Sequence, residues 1–266
     1  MITLLTDFGL SDYFVPAVKG VILTINPEAR IIDITHDVAA HDIQAAAFTL
    51  GACYHIFPAG TIHVVVVDPG VGSSRRVIVA EAGGHLFVGP DNGVFSFVYA
   101  RESKLRVFHI TNDRYFRHPV SATFHGRDVF APVAAHIDRG ASPEEIGAEI
   151  EDYVRFEIPR ARSIEARGLI EGRIIHIDRF GNCVTSFTAA ELKPDEITPS
   201  TKINVGGREV RLFNAYFAEA ADRDDLFAYP GSAGFWEIAL WRSSAAEFIN
   251  ARRGDEVILV KKGSGE

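Results

Sequence analysis

The sequence predicts an α/β protein, with an N-terminal, mostly parallel sheet flanked by helices and a smaller C-terminal β-barrel domain. In the first part of the chain, short apolar segments alternate with segments of helical periodicity. This β-α-β-α-β order is typical of a parallel sheet with right-handed crossovers. After about residue 160, helical spacing gives way to alternating apolar and polar residues between Gly-rich turns, as in a small barrel or sandwich. We therefore expect two domains, residues 1–160 and 161–266.

The composition narrows the class of protein. Of the 266 residues, 47% are hydrophobic and 23% are charged, as in a soluble globular protein. The net charge of −8, with no run of Lys and Arg longer than a pair, argues against a nucleic-acid partner. No segment is long and apolar enough to span a bilayer, and we see no export signal. Two cysteines suggest no disulfide framework, so we expect a cytoplasmic protein without a membrane partner.

Each predicted element follows from a local pattern. Helices are predicted where apolar residues recur at helical spacing, and strands where short apolar runs end at Gly, Pro, Asn or Asp. Four consecutive valines at residues 64–67 predict a strand that is buried on both faces. The predicted strands are residues 2–6, 30–35, 64–67, 76–81, 85–88, 104–111, 172–178, 182–187, 202–205, 209–213, 235–241 and 256–261. The predicted helices begin near Ser11, Asp42, Val129, Ser142 and Ala245.

The first three predicted strands each end in an acidic residue, namely Asp7, Asp37 and Asp68. In a parallel sheet the carboxyl ends of the strands lie along one edge, where ligands bind in open α/β folds. The three loops can therefore converge on one pocket. Asp is also common after strands for turn and capping reasons, so Asp7 as a cap of the first helix and Asp68 as a loop cap stay open alternatives.

Two further residues could join Asp68. Arg75 and Arg76 follow the Asp68 loop closely, and one of the two could fold back over Asp68, because Arg pairs with carboxylates through two parallel hydrogen bonds, although a surface pair is the ordinary explanation. His125 stands on a Gly-flanked loop that opens a helix, and a histidine there can hold or move a proton near neutral pH. The histidines show no metal-binding spacing, so we expect no metal site.

A loop in the second domain, residues 178–182, links two predicted strands. An ordinary hairpin would explain its Gly-Asn pair. Alternatively, Phe180 could stack on a purine while Asn182 pairs with the edge of the base as donor and acceptor. The Gly- and Ser-containing loop at residues 230–234 could add backbone and hydroxyl donors.

Six blocks of residues, spread in order over nearly the whole chain, carry a resemblance to a known family. They are Thr6-Asp7-Phe8-Gly9 with Asp12, Lys19-Gly20-Val21-Ile22, Val67-Asp68-Pro69-Gly70-Val71-Gly72 with Arg75-Arg76, Gly89-Pro90-Asp91-Asn92-Gly93, Thr123-Phe124-His125-Gly126-Arg127-Asp128 and Asp178-Arg179-Phe180-Gly181-Asn182. Together they resemble the S-adenosyl-L-methionine hydrolases (adenosine-forming), or S-adenosylmethionine hydroxide adenosyltransferases, which are relatives of the fluorinating and chlorinating enzymes.

The resemblance implies hydrolysis of S-adenosyl-L-methionine to adenosine and L-methionine, with the substrate as the only small molecule and no cofactor. It implies a homotrimer that binds substrate between one subunit's N-terminal domain and a neighbour's C-terminal domain. The hydrolytic Asp-Arg-His set of the family falls on Asp68, Arg75 and His125, and the halogenases lack that set. The resemblance therefore favours water over halide as the nucleophile.

The resemblance also assigns substrate-binding residues. These are Asp7 for the ribose, Phe180 and Asn182 for the adenine, Asp178 and Ser232 for the methionine end, and Glu237 near the base. Leu240 departs from the halogenases, which have an arginine there. Three alternatives remain: a halogenase of the same superfamily, a non-catalytic adenosine-binding module, and a metal phosphohydrolase built on the strand-end acids and His36.

Overall fold

The computed structural model describes residues 1–164, 168–221 and 223–261. The chain divides into two compact units, Met1–Glu157 and Ile158–Glu266. Among the helices in these described ranges, none has the length and apolar character needed to cross a membrane.

The first unit is built on a seven-stranded sheet with the order β2-β1-β3-β5-β4-β6-β7. Strands β2, β1, β3 and β5 pair in parallel, and the hairpin partner β4 and the edge strand β7 run the other way. Most of the strands therefore share one direction, as the sequence predicts. The strands are β1 Ile2–Thr6, β2 Ile31–Thr35, β3 Ile62–Val66, β4 Val77–Ala82, β5 His85–Pro90, β6 Leu105–Ile110 and β7 Gly147–Ile150.

Helices cover both faces of this sheet. They are α1 Phe14–Ile25, α2 Ile43–Cys53, α3 Ser96–Arg101, α4 Ala131–Asp138 and α5 Pro143–Ile146. Val64 and Val66 pack in a core with α1 and α4, whereas Val65 and Val67 pack in a second core with α2 and α3. Because successive side chains of a strand point to opposite faces, the valine run is buried on both sides, which confirms the prediction.

Some elements of the first unit differ from the predictions. The first helix begins at Phe14 rather than near Ser11. The helix that follows the capping box at Ser142 is a single turn, after which the chain pairs with β6 as the unpredicted strand β7. The helix after His125 opens with a wide π-helical turn, Gly126–Phe130, before α4. Asp42 does start α2, since its carboxylate accepts the N–H of Ala45 over 2.9 Å.

In its described residues, the second unit is a nine-stranded, barrel-like sheet that is nearly closed, with the order β12-β11-β16-β9-β10-β15-β14-β13 and β8 beside β9. Its interior is filled by apolar side chains such as Phe187 and Trp236. The mixed α/β class with a C-terminal barrel is therefore confirmed. The elements are β8 Arg162–Ile164, β9 Leu169–Ile177, β10 Cys183–Thr188, β11 Lys202–Val205, β12 Arg208–Val210, β13 Leu212–Phe213, β14 Phe227–Pro230, β15 Phe235–Ala239, α6 Ala245–Ile249 and β16 Glu256–Val260.

Candidate active site

The loop after β3 folds back on itself. The backbone N–H and the hydroxyl of Ser73 both donate to the carbonyl of Gly70, over 3.1 and 2.7 Å. The backbone N–H of Arg75 donates in turn to the Ser73 hydroxyl over 3.2 Å. These local hydrogen bonds return the chain toward the strand end, so that the side chain of Arg75 lies beside that of Asp68.

Arg75 and Asp68 form a two-point ion pair. Arg75 Nε donates to Asp68 Oδ1 over 2.8 Å, and Arg75 Nη2 donates to Asp68 Oδ2. The two side chains are only 10% and 5% exposed, and the guanidinium lies 5.5 Å from the centre of the Phe130 ring. Arg75 is therefore not part of a surface pair with Arg76, which binds Asp91 instead over 2.9 Å.

His125 completes this group. Its Nδ1 lies 2.8 Å from Arg75 Nη2, the same nitrogen that bonds Asp68. Arginine can only donate, so Nδ1 must accept, and in a neutral ring the proton then resides on Nε2. Burial, together with the charge of Arg75, lowers the pKa of His125, against the opposite effect of the carboxylates of Asp68 and Asp128. The folded site therefore favours the neutral imidazole, whose Nε2–H is available as a donor.

Two glycines allow the His125 loop to approach the Asp68 loop. Gly72 has a φ of +78°, and a Cβ there would lie 2.3 Å from the carbonyl oxygen of Ala122, three residues before His125. A Cβ at Gly126 would lie 3.3 Å from Cγ1 of Val66, the last residue of β3. The close contact of the two loops thus depends on the absence of side chains at these positions.

Asp128 anchors the segment that precedes His125. Its carboxylate is fully buried and accepts Nε and Nη2 of Arg127, each over 2.7 Å, the backbone N–H of Ser121 over 2.9 Å, and Nη1 of Arg117 over 3.1 Å. Burial raises the pKa of Asp128, but these donors outweigh burial and leave the pKa below its usual range. Asp128 is therefore a structural anion whose hydrogen-bonding capacity is already used.

The acids that end β1 and β2 have different surroundings. Asp7 accepts the backbone N–H of His41 through Oδ2 over 2.8 Å, and Asp37 is exposed. The first residue before α1 is Tyr13, and no side chain caps that helix, so the capping alternative for Asp7 is wrong. Because β2, β1 and β3 are neighbours in parallel, Asp7, Asp37 and Asp68 follow adjacent strands at one edge of the sheet.

Histidines near this edge have protein partners. His36 Nδ1 lies 2.8 Å from the hydroxyl of Thr6, and His36 Nε2 lies 3.1 Å from Asp33. Within the described ranges, no group of three or more His, Cys, Asp or Glu side chains is arranged to hold a metal ion.

The loop after β9 in the second unit is shaped by one carboxylate. Asp178 Oδ1 accepts the backbone N–H groups of Phe180 and Asn182 over 2.9 and 2.8 Å, and Oδ2 accepts Asn182 Nδ2 over 2.8 Å. Asn182 is only 4% exposed, and its Oδ1 has no hydrogen-bond partner among the residues that the structure describes. Phe180 is 76% exposed. The turn thus presents an aromatic face and leaves one buried amide oxygen without a partner.

These residues line a groove of about 970 Å³ that lies within the second unit. All five substrate-binding residues expected in this unit line it, namely Asp178, Phe180, Asn182, Ser232 and Glu237. The Tyr229 hydroxyl donates to Glu237 Oε2 across β14 and β15. Burial raises the pKa of Glu237, with the Asp178 charge acting in the same direction and the Tyr229 bond opposing it.

Sequence reasoning missed several residues of this groove. They include the aromatic side chains of Tyr216, Phe217 and Tyr229, together with Arg242. Tyr229 lies directly opposite Glu237 in the register of β14 and β15, a pairing that requires the unpredicted strand β14. The one local signal was the run Phe227-Ala228-Tyr229, an apolar segment that ends at Pro230 and Gly231.

Comparison with known proteins places the chain in a family. Residues 2–147 match the model of the SAM hydroxide adenosyltransferase N-terminal domain, and residues 172–258 match that of the C-terminal domain. The chain is 36% identical to a protein of Thermus thermophilus named (R)-S-adenosyl-L-methionine hydrolase, over 96% of this chain and 98% of that protein.

Two further similarities agree with this match. A crystal structure of an uncharacterized conserved protein from Thermotoga maritima has a TM-score of 0.88 and 35% identity, and covers 98% of this chain and 100% of that one. A protein named fluorinase, from an Actinoplanes species, is 24% identical over 98% of this chain and 97% of its own length. The resemblance stated from the sequence blocks is thus confirmed: the chain belongs to the SAM hydroxide adenosyltransferase family.

Proposed function

We propose that this protein hydrolyses S-adenosyl-L-methionine to adenosine and L-methionine by in-line attack of water on the 5′ carbon. The observation that carries the proposal is the single nitrogen of Arg75 that bonds both Asp68 and His125. Relatives named (R)-S-adenosyl-L-methionine hydrolase, 34–36% identical over nearly the whole chain, support the same activity. The substrate is the only small molecule in the proposal, which includes no cofactor.

The reaction makes limited demands on the protein. A lone pair on the water oxygen forms the new bond to the 5′ carbon as the carbon–sulfur bond breaks. The electron pair of the carbon–sulfur bond stays on sulfur and neutralises the sulfonium, so methionine leaves as a neutral thioether. The protein must align the water opposite the sulfur and accept one proton. Alignment of this kind can contribute roughly 7 kcal/mol or more, and proton transfer about two to four powers of ten in rate.

The hydrogen bonds of the site indicate which residue performs each of these tasks. Each oxygen of Asp68 accepts only one bond from Arg75, so each keeps a lone pair with which to receive the proton of the water. His125 is held with Nδ1 as the acceptor, so its Nε2–H would donate to the water oxygen rather than remove a proton. We therefore assign the base to Asp68, the orientation of the water to His125, and the positioning of both to Arg75.

The other predicted residues would bind the substrate. Asp7 would accept the ribose hydroxyls, Phe180 would stack on the adenine, and Asn182 would accept a hydrogen bond from the base through its unpartnered Oδ1. The homotrimer that the family resemblance implies, with neighbouring copies contributing to each site, stays a prediction. So does location in the cytoplasm. Sedimentation of the purified chain would test the trimer.

A set of parallel incubations tests the proposed activity. The protein is mixed with S-adenosyl-L-methionine, and the products are separated by chromatography in parallel reactions with chloride, with fluoride, with a chelator and with none of these. The two sulfur epimers are supplied separately, because the relatives are named for the (R) form. With the (R) form we expect adenosine and methionine in equal amounts in every reaction.

Each other outcome identifies a different function. A halogenated nucleoside that forms only with halide would identify a halogenase. Loss of activity with the chelator would indicate a metal-dependent hydrolase. Tight binding of adenosine without turnover under any condition would indicate a binding module, and any of these three results would contradict the proposal.

A further inference from the structure

The segment at the end of β5, residues 89–93 and here called the β5 turn, contains none of the predicted catalytic or substrate-binding residues. Asp91 is nevertheless 5% exposed and Asn92 is partly buried, although polar residues of connecting segments usually face water. Buried polar groups are normally hydrogen-bonded. Here the two side chains bond the two residues that flank the Asp68 loop, which spans residues 68–75.

Asn92 binds the strand end that leads into Asp68. Its Nδ2 donates to the carbonyl oxygen of Val67 over 2.9 Å, and its Oδ1 accepts the backbone N–H of Val94 over 3.1 Å. Val67 is fully buried and lies one residue beyond β3, so its carbonyl takes a partner outside the strand pairing. The bond from Asn92 fixes the peptide plane between Val67 and Asp68, and with it the direction in which the Asp68 side chain leaves the backbone.

Asp91 binds the other end of the loop, at the residue that follows Arg75. Its backbone N–H donates to the carbonyl of Arg76 over 3.0 Å, which extends the pairing of β4 with β5 by one step. Its carboxylate accepts Nε of Arg76 through Oδ2 over 2.9 Å and the backbone N–H of Val154 through Oδ1 over 2.7 Å. Because the Asp91 side chain is only 2% exposed, water competes little for these bonds, and Arg76 is held in place.

Gly89 allows the β5 turn to approach the Asp68 loop. A Cβ at this position would lie 2.7 Å from the carbonyl oxygen of Val65 in β3 and 3.0 Å from the ring of Phe95. A side chain would therefore push the end of β5 away from β3 and move Asn92 out of reach of Val67. One turn thus holds both ends of the Asp68 loop, while hydrogen bonds within the loop hold its interior.

We infer that Asn92 and Asp91 are positioning residues for the reaction, which set the geometry of Asp68 and Arg75 by holding the two ends of their loop. This inference rests on the proposed function. A displacement of about 1 Å at a reacting group can lower a rate by about a hundredfold. The proposed contacts to the adenine and to the methionine end lie in the second unit, so loss of this positioning should lower turnover and leave substrate binding nearly unchanged.

Asn92→Ser tests the end of the loop at Val67. The serine hydroxyl can still accept the N–H of Val94, as serine does in short turns, but the shorter side chain does not reach the carbonyl of Val67. We expect kcat for S-adenosyl-L-methionine to fall by about 10- to 100-fold at a nearly unchanged KM. Arg76→Gln removes the ion pair with Asp91 at the other end, and it should change the two constants in the same directions. An unchanged kcat in both variants would overturn the inference.

Asn112→Ser is the matched control. Asn112 lies in the same unit and also donates through Nδ2 to the carbonyl of a distant residue, Glu145, over 2.8 Å. Both serine variants lose the same kind of bond, so they should lower the melting temperature by similar amounts, whereas only Asn92→Ser should lower kcat. An equal loss of kcat in the two variants would show a general effect of reduced stability and would contradict the positioning role.

The pKa of His125 provides a readout that does not depend on turnover. It is measured by NMR titration of the ring signals, which are assigned by their loss in His125→Ala. The charge of Arg75 lowers this pKa, and Asn92→Ser changes no charge, so movement of Arg75 away from His125 should raise the pKa toward its ordinary value. Asn112→Ser should leave it unchanged.

This titration separates the inference from the proposed function. If the wild-type protein releases no adenosine, the proposed activity fails, and the rise in the His125 pKa in Asn92→Ser still tests the positioning. If the wild-type protein is active and Asn92→Ser changes neither kcat nor the His125 pKa, the inference fails and the activity stands.

Discussion

The Asp68 site of the first unit and the groove of the second differ in how completely their polar groups are paired. Asp68, Arg75 and His125 are largely buried and bond one another, so their geometry exists before any ligand binds. The groove, by contrast, has an exposed Phe180 and a buried Asn182 Oδ1 that has no hydrogen-bond partner among the described residues. Groups that take part in chemistry benefit from being fixed in advance, whereas groups that recognise a ligand must keep free bonding capacity. The comparison predicts that changes in the two regions alter different kinetic constants.

The largest effect is expected from Asp68→Asn. The amide keeps the shape of the side chain but cannot accept a proton from water as a carboxylate does, and it leaves the charge of Arg75 unpaired. We expect kcat to fall by about a thousandfold or more, within the range for loss of a general base. Affinity for S-adenosyl-L-methionine, measured by calorimetry with the inactive variant, should change little, as should affinity in Asp68→Ala.

Asp37→Asn is the control for this change, because Asp37 also ends a strand at the same edge of the sheet but is exposed. It should leave kcat unaltered. Normal release of adenosine by Asp68→Asn would show that Asp68 takes no part in the reaction. The difference in function between the two regions would then be contradicted.

A second, smaller effect should appear in the dependence of the rate on pH. Burial and the Arg75 charge lower the pKa of His125, so the folded protein favours the neutral ring. Protonation of Nδ1 removes its capacity to accept from Arg75, and kcat should therefore fall as the pH drops below the ordinary histidine range near 6.5. The same shift makes the folded state bind fewer protons than the unfolded state below that pH, so stability also decreases there.

His125→Ala should lower kcat by about a hundredfold and abolish the fall in kcat at low pH, here called the acidic limb. Rates measured from pH 4.5 to 8 test this. His136→Gln is a suitable control, since burial also lowers the pKa of His136 but it makes no contact with Arg75. An acidic limb that persists in His125→Ala and disappears in His136→Gln would show that His125 does not control the rate.

The fold was largely predictable because its signals are local. The valine strand, the hairpin across residues 83–84 and the Asp42 helix start each follow from a few neighbouring residues. Strand β7, by contrast, contains Gly147 and Ala148 and follows a single helical turn, so little in its own sequence favours a strand. It forms because it pairs with the distant β6. Such long-range pairing leaves no periodic signal in the sequence.

In the candidate sites, too, the local features were predictable, whereas the contacts between distant residues were not. The sequence indicates which loops carry Asp68, Arg75 and His125, since strand ends and Gly-flanked turns are recognisable. It does not indicate that one nitrogen of Arg75 bonds both of the others, because that depends on side-chain atoms from separate loops. Arg242 was missed as a residue of the groove because it adopts a φ of +52°, which is expected at Gly or Asn, and no sequence pattern marks an arginine that adopts it.

The smallest effect that still separates the two regions is expected from Phe180→Ala. Phe180 exposes most of its ring at the groove, and stacking of a base on an aromatic side chain is worth about 1–3 kcal/mol. We expect KM to rise by about tenfold at an unchanged kcat, the opposite of the Asp68 result. Phe248→Ala removes a half-exposed ring of the same unit that does not line the groove, and should change neither constant. If Phe180→Ala instead lowers kcat at constant KM, the ring acts on the reacting atoms, and the groove cannot be treated as a site of recognition alone.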